Sequence, residues 1–234
     1  MQLNNRTILV TGGTSGIGEA LIQRLASINQ EIIVIGRNAV KLENLQDRYN
    51  NLTPYRCSLD SRGEVETTLH KIMTHHPALS VIINNAGVQF TPRFLDPDFS
   101  FESIESEITT NLTAPAWICA LTLRHLLKTP SAAIINISSG LALFPKTSSA
   151  IYCATKAGLH NFSRSLRYQL EGTHINVHEA IMPLVETPMT AGRGKGKITA
   201  DAAAAAIIAG VEKGKPEIYV GKARLMPVIA RLSP

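Results

Sequence analysis

The sequence contains little cysteine and no long apolar run. Its three cysteines, Cys57, Cys119 and Cys153, have neither the spacing of a metal site nor the even number of a disulfide framework. No stretch approaches the roughly 20 apolar residues that a membrane-crossing helix needs, and the first residues lack the basic, apolar and small-residue order of a signal peptide. We therefore expect reduced thiols, no bound metal, no stable membrane insertion and a cytoplasmic location.

Basic residues are in small excess over acidic residues. The 234 residues include 23 Lys and Arg against 18 Asp and Glu, and the net charge of +5 is spread along the chain except in the stretch RGKGKI at 193–198. This balance suits an anionic cofactor at least as well as nucleic acid, and no recognisable nucleic-acid-binding module is present. The sequence predicts no nucleic acid partner and one domain spanning residues 1–234.

Short apolar runs alternate with longer amphipathic segments. Seven runs are predicted to be strands: TILVT (7–11), EIIVIG (31–36), TPYRC (53–57), SVIINN (80–85), AAIINIS (132–138), INVHEAI (175–181) and EIYVG (217–221). Helical patterns lie near 16–28, 38–49, 62–75, 99–128, 149–171 and 199–213. Continuous Ile and Val runs are typical of strands covered on both faces. The chain is therefore predicted to form an α/β fold, a doubly wound parallel sheet of about seven strands with helices on both faces.

The first predicted strand runs into a glycine-rich bend, TGGTSGIG at 11–18. In a strand–bend–helix arrangement, backbone N–H groups and the helix N-terminus face an anionic pyrophosphate. Gly12, Gly16 and Gly18 would permit the bend and the close approach. The spacing is not G-x-G-x-x-G and no lysine follows the last glycine, so on this motif alone an ordinary glycine-rich turn remains the alternative.

Tyr152 and Lys156 stand four residues apart in AIYCATKAG at 150–158. Positions four apart share one face of a helix, so the phenol and the ammonium can meet. A nearby cation would lower the pKa of the phenol, about 10 when free, and make it a usable acid. The alternative is a ring at the edge of the core and a solvated charge, a pairing that occurs often by chance.

Four ordered motifs together resemble the short-chain dehydrogenase/reductase family over nearly the whole chain. They are TGGTSGIG at 11–18, NNAG at 84–87, NISSG at 136–140 and YCATK at 152–156. The resemblance implies a Rossmann-type fold, a nicotinamide cofactor and a catalytic set of Asn, Ser, Tyr and Lys. It also implies a homodimer or homotetramer, because helices of this family often pack against copies of themselves.

Matched to the family pattern, the catalytic set is Asn111, Ser139, Tyr152 and Lys156. Ser139 lies thirteen residues before Tyr152, the usual family separation, and Ser138 is the less favoured serine. Reducing a carbonyl creates an alkoxide, so Tyr152 is expected to donate the proton and Ser139 to bind the oxygen. Lys156 would lower the phenol pKa together with the positive nicotinamide and hold the ribose hydroxyls. The amide of Asn111 would bind a water near Lys156.

The resemblance also indicates where the cofactor binds. The residues implied, besides Tyr152 and Lys156, are Gly12, Thr14, Ser15, Gly16, Ile17, Gly18, Arg37, Asp60, Asn85, Ala86, Gly87, Val185 and Thr187. Asp60 resembles the residue that binds the adenine amine, although a helix cap before Ser61 is the alternative. Val185 and Thr187 stand where the family meets the carboxamide and phosphate of the cofactor.

The end of the second predicted strand bears on the choice between NAD and NADP. A carboxylate there would bind the adenosine 2'-hydroxyl, whereas an arginine attracts a 2'-phosphate. Gly36 occupies the place of the acid and Arg37 follows, so we expect NADP. Ser15 is a candidate donor to the same phosphate.

The last third of the chain departs from the family pattern. Pro183 is followed by Leu184 where most relatives have Pro-Gly, as in a poorly characterised bacterial subset that includes reductase-like proteins encoded beside lipoteichoic acid D-alanylation genes. Leucine adopts positive φ only at an energetic cost, so either residue 184 has negative φ or the backbone of this turn follows a different path from that of the family. A lid near 188–200 carries three bases between 190 and 198, and either covers an acidic or phosphorylated substrate or is a solvated linker. The tail at 222–234 could cover the substrate pocket, pack between subunits or touch a membrane surface, and packing is the favoured alternative because Pro227 interrupts a segment already short for a membrane anchor.

The sequence thus predicts an NADP-dependent oxidoreductase that acts on a small carbonyl or alcohol substrate. The alternative is a protein that binds NAD(P) and senses redox state without turnover.

Overall fold

The computed structural model describes residues 1–91, 93–97, 99–227 and 229. Runs rich in Ile and Val form its strands, because β-branched side chains pack well in a pleated sheet buried on both faces. The strands are β1 (Thr7–Thr11), β2 (Glu31–Gly36), β3 (Leu52–Arg56), β4 (Leu79–Asn84), β5 (Ala132–Ser139), β6 (Ile175–Met182), β7 (Val185–Glu186), β8 (Ile198–Thr199) and β9 (Glu217–Tyr219).

Seven of the strands form one parallel sheet in the order β3-β2-β1-β4-β5-β6-β9. The two-residue strands β7 and β8 pair separately. The chain winds outward from β1 in both directions, so the order reverses between β1 and β4 and leaves a crevice at the carboxyl ends of these strands. The predicted doubly wound Rossmann-type sheet of seven strands is confirmed.

Helices cover both faces of the sheet. They are α1 (Gly16–Ala26), α2 (Ala39–Arg48), α3 (Arg62–His75), α4 (Phe101–Ile108), α5 (Ala114–Leu126), α6 (Ala150–Gln169) and α7 (Ala200–Glu212). One apolar cluster joins α1, α2 and α7 to one face, and a second joins α3, α5 and α6 to the other. Within the described ranges, none of these helices has the length and apolar character to cross a membrane.

The helix predicted over 99–128 is interrupted. A five-residue π-helical turn, Thr109–Thr113, separates α4 from α5. Pro115 has no N–H and so cannot donate to the carbonyl of Asn111 four residues earlier, and this releases the α-helical hydrogen-bond register at that point. The prediction of one continuous α-helix was wrong here. The π turn matters because such turns occur frequently at functional sites and this one contains Asn111.

Candidate active site

A cavity of about 550 Å³ opens at the carboxyl ends of the central strands. Its volume is within the range of roughly 300–1,000 Å³ that is usual for small-molecule and cofactor sites. Of the site residues predicted from the sequence, all except Gly18 and Asn111 line it. Ser138 lines it as well, so both serines of the NISSG motif reach the same space.

The glycine-rich turn between β1 and α1 forms one wall. Gly12 and Gly16 have φ of +66° and +57°, which L side chains rarely adopt. Gly18 lies behind the turn, where an added Cβ would stand 2.3 Å from the carbonyl oxygen of Gly12. Ser15 precedes α1 as its N-cap, and its hydroxyl makes no capping bond. The first N–H groups of α1 and this hydroxyl are therefore available to an anion.

Thr11 and Asn85 hold the turn against the end of β4. The Asn85 side-chain nitrogen donates to the carbonyls of Thr11 and Gly12 at 3.0 Å each. In return, the buried Thr11 hydroxyl accepts the backbone N–H groups of Asn85 and Ala86 at 3.1 Å each. The amide of Asn85, predicted to meet the cofactor, is thus engaged with the turn itself. Thr11 was not predicted, because its role depends on a neighbour 74 residues away.

Replacement of Thr11 by Val tests this anchor. Valine keeps the shape of the side chain but leaves the Ala86 N–H without its acceptor, whereas the Asn85 N–H keeps the Ile83 carbonyl at 3.1 Å. We therefore expect a loss of about 1 kcal/mol in the free energy of unfolding, measured by urea denaturation. Thr53→Val on the edge strand β3 is the control, with an expected change within about 0.5 kcal/mol. Equal effects of the two substitutions would show that Thr11 is not an anchor.

The adenosine end of the cavity, as the family pattern defines it, contains a weak ion pair. Arg37 lies 3.7 Å from Asp60, and its side chain is 62% exposed. Asp60 also accepts a hydrogen bond from the Thr110 hydroxyl of the π turn at 2.7 Å. The cap of α3 is Ser61 and not Asp60, so the capping alternative for Asp60 was wrong. Lys41, in the first turn of α2, also lines the cavity and was not predicted.

Tyr152 lies at the opposite end, 9% exposed. Burial raises the pKa of its phenol to about 12, while the interaction with the Ser139 hydroxyl opposes that rise. Ser139 ends β5, and its hydroxyl accepts the N–H of Leu141 at 3.2 Å. The sequence predicted a lowered pKa for the phenol. In the protein without its cofactor the pKa is raised, because desolvation of the phenolate outweighs the Ser139 hydrogen bond and the charge of Arg193, which both lower it.

Lys156 is buried beneath Tyr152. Its ammonium lies 5.6 Å from the centre of the Tyr152 ring and donates to the carbonyl of Ile137 at 2.9 Å. Burial lowers the pKa of Lys156 to about 8, and the charge of Glu179 on β6 opposes this. The carboxylate of Glu179 is fully buried and bonded to His160 at 2.7 Å, which raises the pKa of His160. An acid within an apolar strand, as in INVHEAI, was the signal that could have revealed this group.

Asn111 does not reach the cavity. Its side chain is fully buried and pairs with both backbone groups of Val88, accepting the N–H and donating to the carbonyl at 2.9 Å each. The same amide nitrogen also donates to the Thr155 hydroxyl at 3.3 Å. Both amide hydrogens are used, so a water near Lys156 would have to donate to the amide oxygen, and the contact of this amide with a water stays a prediction. Asn111 holds the segment after β4 against α6.

The NNAG and NISSG motifs contribute a second internal link. The Asn84 amide donates to Asn136 at 2.8 Å, and the Asn136 amide donates to the Ser163 hydroxyl at 2.9 Å. This buried chain joins β4, β5 and α6. It fixes the end of the strand that carries Ser139 relative to the helix that carries Tyr152.

The segment after β6 keeps an ordinary backbone. Among the described residues only Asn5 combines a side chain with positive φ, so Leu184 retains negative φ and the first of the two predicted alternatives holds. Val185 and Thr187 both line the cavity. Thr187 packs on the glycine-rich turn, where a Cβ added to Gly16 would lie 2.9 Å from its methyl group.

The described part of the tail closes the cavity near Ser139. Met226 lines the cavity and packs on Gly140, where an added Cβ would lie 2.3 Å from the Met226 methyl carbon. Within the tail, packing on the protein is seen for Ala223, which is fully buried, and for Met226, whereas Leu225 is exposed. Residues 228 and 230–234 lie outside the described residues.

Comparison with known proteins agrees with this geometry. The sequence profile of a family described as short chain dehydrogenase matches residues 6–197. A protein named "Uncharacterized oxidoreductase DltE", from Bacillus subtilis (strain 168), is 37% identical over 187 residues, which cover 80% of this chain and 74% of that protein.

Two solved structures share the fold. A short chain dehydrogenase from Burkholderia cenocepacia J2315 in complex with NADP superposes with a TM-score of 0.89 at 22% identity, covering 100% of this chain and 95% of that one. A short chain dehydrogenase/reductase from Burkholderia phymatum in complex with NAD gives 0.87 at 16% identity, covering 99% and 96%. With the family profile matching most of its length, the chain belongs to the short chain dehydrogenase family of oxidoreductases.

Proposed function

We propose that the protein transfers a hydride between NADP and a carbonyl or alcohol substrate, with Tyr152 as proton donor and acceptor. The observation that carries this proposal is that Tyr152, Ser139 and Lys156 line the same cavity as the glycine-rich turn. One end of the cavity thus offers helix N–H groups to an anion, and the other offers a proton and a hydrogen bond to a reacting oxygen.

The residues at the glycine-rich turn fit a dinucleotide. The turn comes so close to the segment after β4 that a Cβ on Gly12 would stand 2.8 Å from the Cα of Ala86. The absence of side chains at Gly12 and Gly16 exposes backbone groups to the cavity, as a pyrophosphate requires. Both the NADP and the NAD complexes of the structural neighbours are consistent with such a ligand.

The raised pKa of Tyr152 suits a proton donor. With a pKa of about 12, the phenol keeps its proton at neutral pH until a stronger base appears beside it. When bound, the nicotinamide supplies or accepts the hydride. Tyr152 then donates its proton to the oxygen of the substrate while the Ser139 hydroxyl donates a hydrogen bond to the same oxygen. In the reverse direction the phenolate accepts the proton.

Lys156 stabilises the phenolate that remains. Its pKa of about 8 leaves the ammonium charged at neutral pH, and it lies 5.6 Å from the centre of the phenol ring. Desolvation makes this charge effective, because the interaction is not screened by bulk water. The negative charge of Glu179, which is bonded to His160, offsets part of the cost of burying the cation.

Two bases at the end of β2 and the start of α2 support NADP over NAD. Gly36 leaves no carboxylate to repel a 2'-phosphate, and a Cβ there would already lie 3.3 Å from side-chain atoms of Leu42 and Thr14. Arg37 and Lys41 both line this part of the cavity. The contact of Arg37 with Asp60 is long and exposed, so a phosphate competes with it at little cost.

Arg37→Ala is expected to raise the KM for NADPH roughly tenfold, because it removes a charge-assisted contact to the 2'-phosphate. The KM for NADH should change little. Steady-state kinetics with both cofactors checks this, with Arg62→Ala as control, since Arg62 is equally exposed on α3 and lies outside the cavity lining. Equal changes for the two cofactors would contradict 2'-phosphate recognition by Arg37.

A panel of ketones, aldehydes and alcohols tests the reaction itself. Oxidation of NADPH by at least one carbonyl compound, followed by absorbance, is the expected result. Tight NADPH binding with no turnover across the panel would instead favour a cofactor-binding redox sensor.

A further inference from the structure

Five basic side chains line the cavity, and they fall into three groups. Arg37 and Lys41 lie at the adenosine end and Lys156 lies under Tyr152. The other two, Lys146 and Arg193, come from segments that flank the reacting end. Asp60 is the one carboxylate among the described lining residues, and it belongs to the adenosine end. At the reacting end the described lining residues therefore include cations and no carboxylate, and the acid that acts on Tyr152 from outside the lining is Glu107.

Lys146 and Arg193 are both half-buried, yet no ion pair or side-chain hydrogen bond of theirs is found among the described residues. Other arginines of the chain do have partners, such as Arg24 and Arg48, each 2.7 Å from a carboxylate. Both cations are therefore available to form charge-assisted hydrogen bonds with an anion in the cavity.

The loop at 190–198 holds Arg193 over the reacting end. Gly192 and Gly194, on either side of it, have φ of +70° and +65°. Leu184 packs directly on Gly194, where an added Cβ would lie 2.3 Å from its methyl group. Lys197 ties the loop down by donating to the Thr190 carbonyl at 2.5 Å. The departure from Pro-Gly at residue 184 thus provides the surface on which this loop rests.

Arg193 is near enough to the phenol for its charge to lower the pKa of Tyr152. It also lines a second groove next to the cavity, which contains Asp96 and Glu102. Those two acids have their own partners, since Asp96 accepts the N–H of Arg93 at 2.7 Å and Glu102 accepts the Ser100 hydroxyl. Among the described residues, neither acid forms an ion pair with Arg193 within 4.0 Å.

We propose that Lys146 and Arg193 form an anion subsite, so that the substrate is a carbonyl or alcohol compound that carries a carboxylate or a phosphate monoester. This inference rests on the proposed hydride transfer. The anionic group binds between the two cations while the reacting oxygen faces Tyr152 and Ser139. Binding at the remote charged group then helps to orient the reacting carbon.

Matched substrate pairs test this subsite. Each pair shares one carbonyl scaffold and differs by carboxylate against methyl ester, or by phosphate monoester against free hydroxyl. We expect kcat/KM to favour the anionic member at least tenfold in the unmodified protein, and this ratio to fall about tenfold in both Lys146→Met and Arg193→Met. The ratio cancels any effect of Arg193 on Tyr152 itself. Comparing carboxylates with phosphates identifies the preferred anion.

Lys195→Met is the matched control, because Lys195 lies in the same loop, is exposed and does not line the cavity. Preference for the neutral members, or a preference for anions that survives Lys146→Met/Arg193→Met, would overturn the subsite while leaving hydride transfer intact. If nothing is turned over, the proposed function fails on its own. In that case the Kd of the carboxylate and phosphate compounds is measured by calorimetry on the NADP-loaded protein. Weaker binding in both Lys146→Met and Arg193→Met supports the subsite, and unchanged binding in either variant overturns it.

Discussion

Tyr152→Phe is expected to lower kcat roughly 10²–10⁴-fold, because the substitution removes the proton donor and leaves the ring in place. Tyr152 is 9% exposed, so the phenylalanine ring keeps its packing at the start of α6. The Kd for NADPH should therefore change little. The measurement pairs turnover of the best carbonyl substrate with the Kd from a fluorescence titration of NADPH.

Tyr168→Phe provides the control on the same helix. Tyr168 lies near the end of α6 and is 61% exposed, so the loss of its hydroxyl should leave turnover within twofold of the original, roughly the effect of a surface substitution. If Tyr152→Phe keeps more than about a tenth of the activity, another group donates the proton. Loss of activity together with loss of NADPH binding would mean that Tyr152 shapes the cofactor site instead.

The sheet could be predicted from the sequence because its signals are local. Runs such as EIIVIG have no polar face, and only a strand covered on both sides accommodates them. The glycine-rich bend and the four-residue spacing of Tyr152 and Lys156 are local as well. For this reason the positions of these groups at one crevice follow from chain order and parallel topology alone.

The errors and omissions concern what each group contacts. The π turn arises because Pro115 interrupts the hydrogen bonds of a helix that otherwise reads as continuous. Asn111 pairs with Val88, 23 residues away, and Thr11 pairs with Asn85, 74 residues away. No spacing rule predicts such partners. Whether the pKa of Tyr152 is raised or lowered depends on the balance between desolvation, which raises it, and nearby donors and cations, which lower it. The extent of desolvation is a property of the assembled fold.

Lys156 shows that the groups proposed for catalysis are not the most stable choice for their positions. Lys156 is 4% exposed, and the acid that favours its charged form, Glu179, is already bonded to His160. Burial moves the pKa from 10.5 to about 8, which corresponds to a cost of about 3 kcal/mol when the group is charged. A buried cation that stabilises a phenolate thus lowers the free energy of unfolding relative to a neutral side chain of similar size.

Lys156→Met is therefore expected to abolish measurable turnover and to stabilise the cofactor-free protein at pH 7. Methionine fills a similar volume without a charge, which removes the cost of about 3 kcal/mol. Loss of the hydrogen bond to the Ile137 carbonyl costs about 1 kcal/mol. The free energy of unfolding, measured by urea denaturation, is therefore expected to rise by about 2 kcal/mol. Lys128→Met, at an exposed position after α5, should change stability by less than about 0.5 kcal/mol.

The stability advantage of Lys156→Met over the unmodified protein is expected to depend on pH. Below about pH 8 the lysine is charged in both the folded and the unfolded chain, so the full cost is present and Lys156→Met has its largest advantage. Between about pH 8 and 10.5 the folded protein has lost the proton while the unfolded chain still binds it, so the unmodified protein gains stability with rising pH and the advantage shrinks. An advantage that stays constant from pH 7 to pH 10, or a variant less stable than the original at pH 7, would show that the buried ammonium is fully compensated.

Glu179, through its coulombic attraction, would then be the group that compensates it, and Glu179→Gln should lower the pKa of Lys156 further.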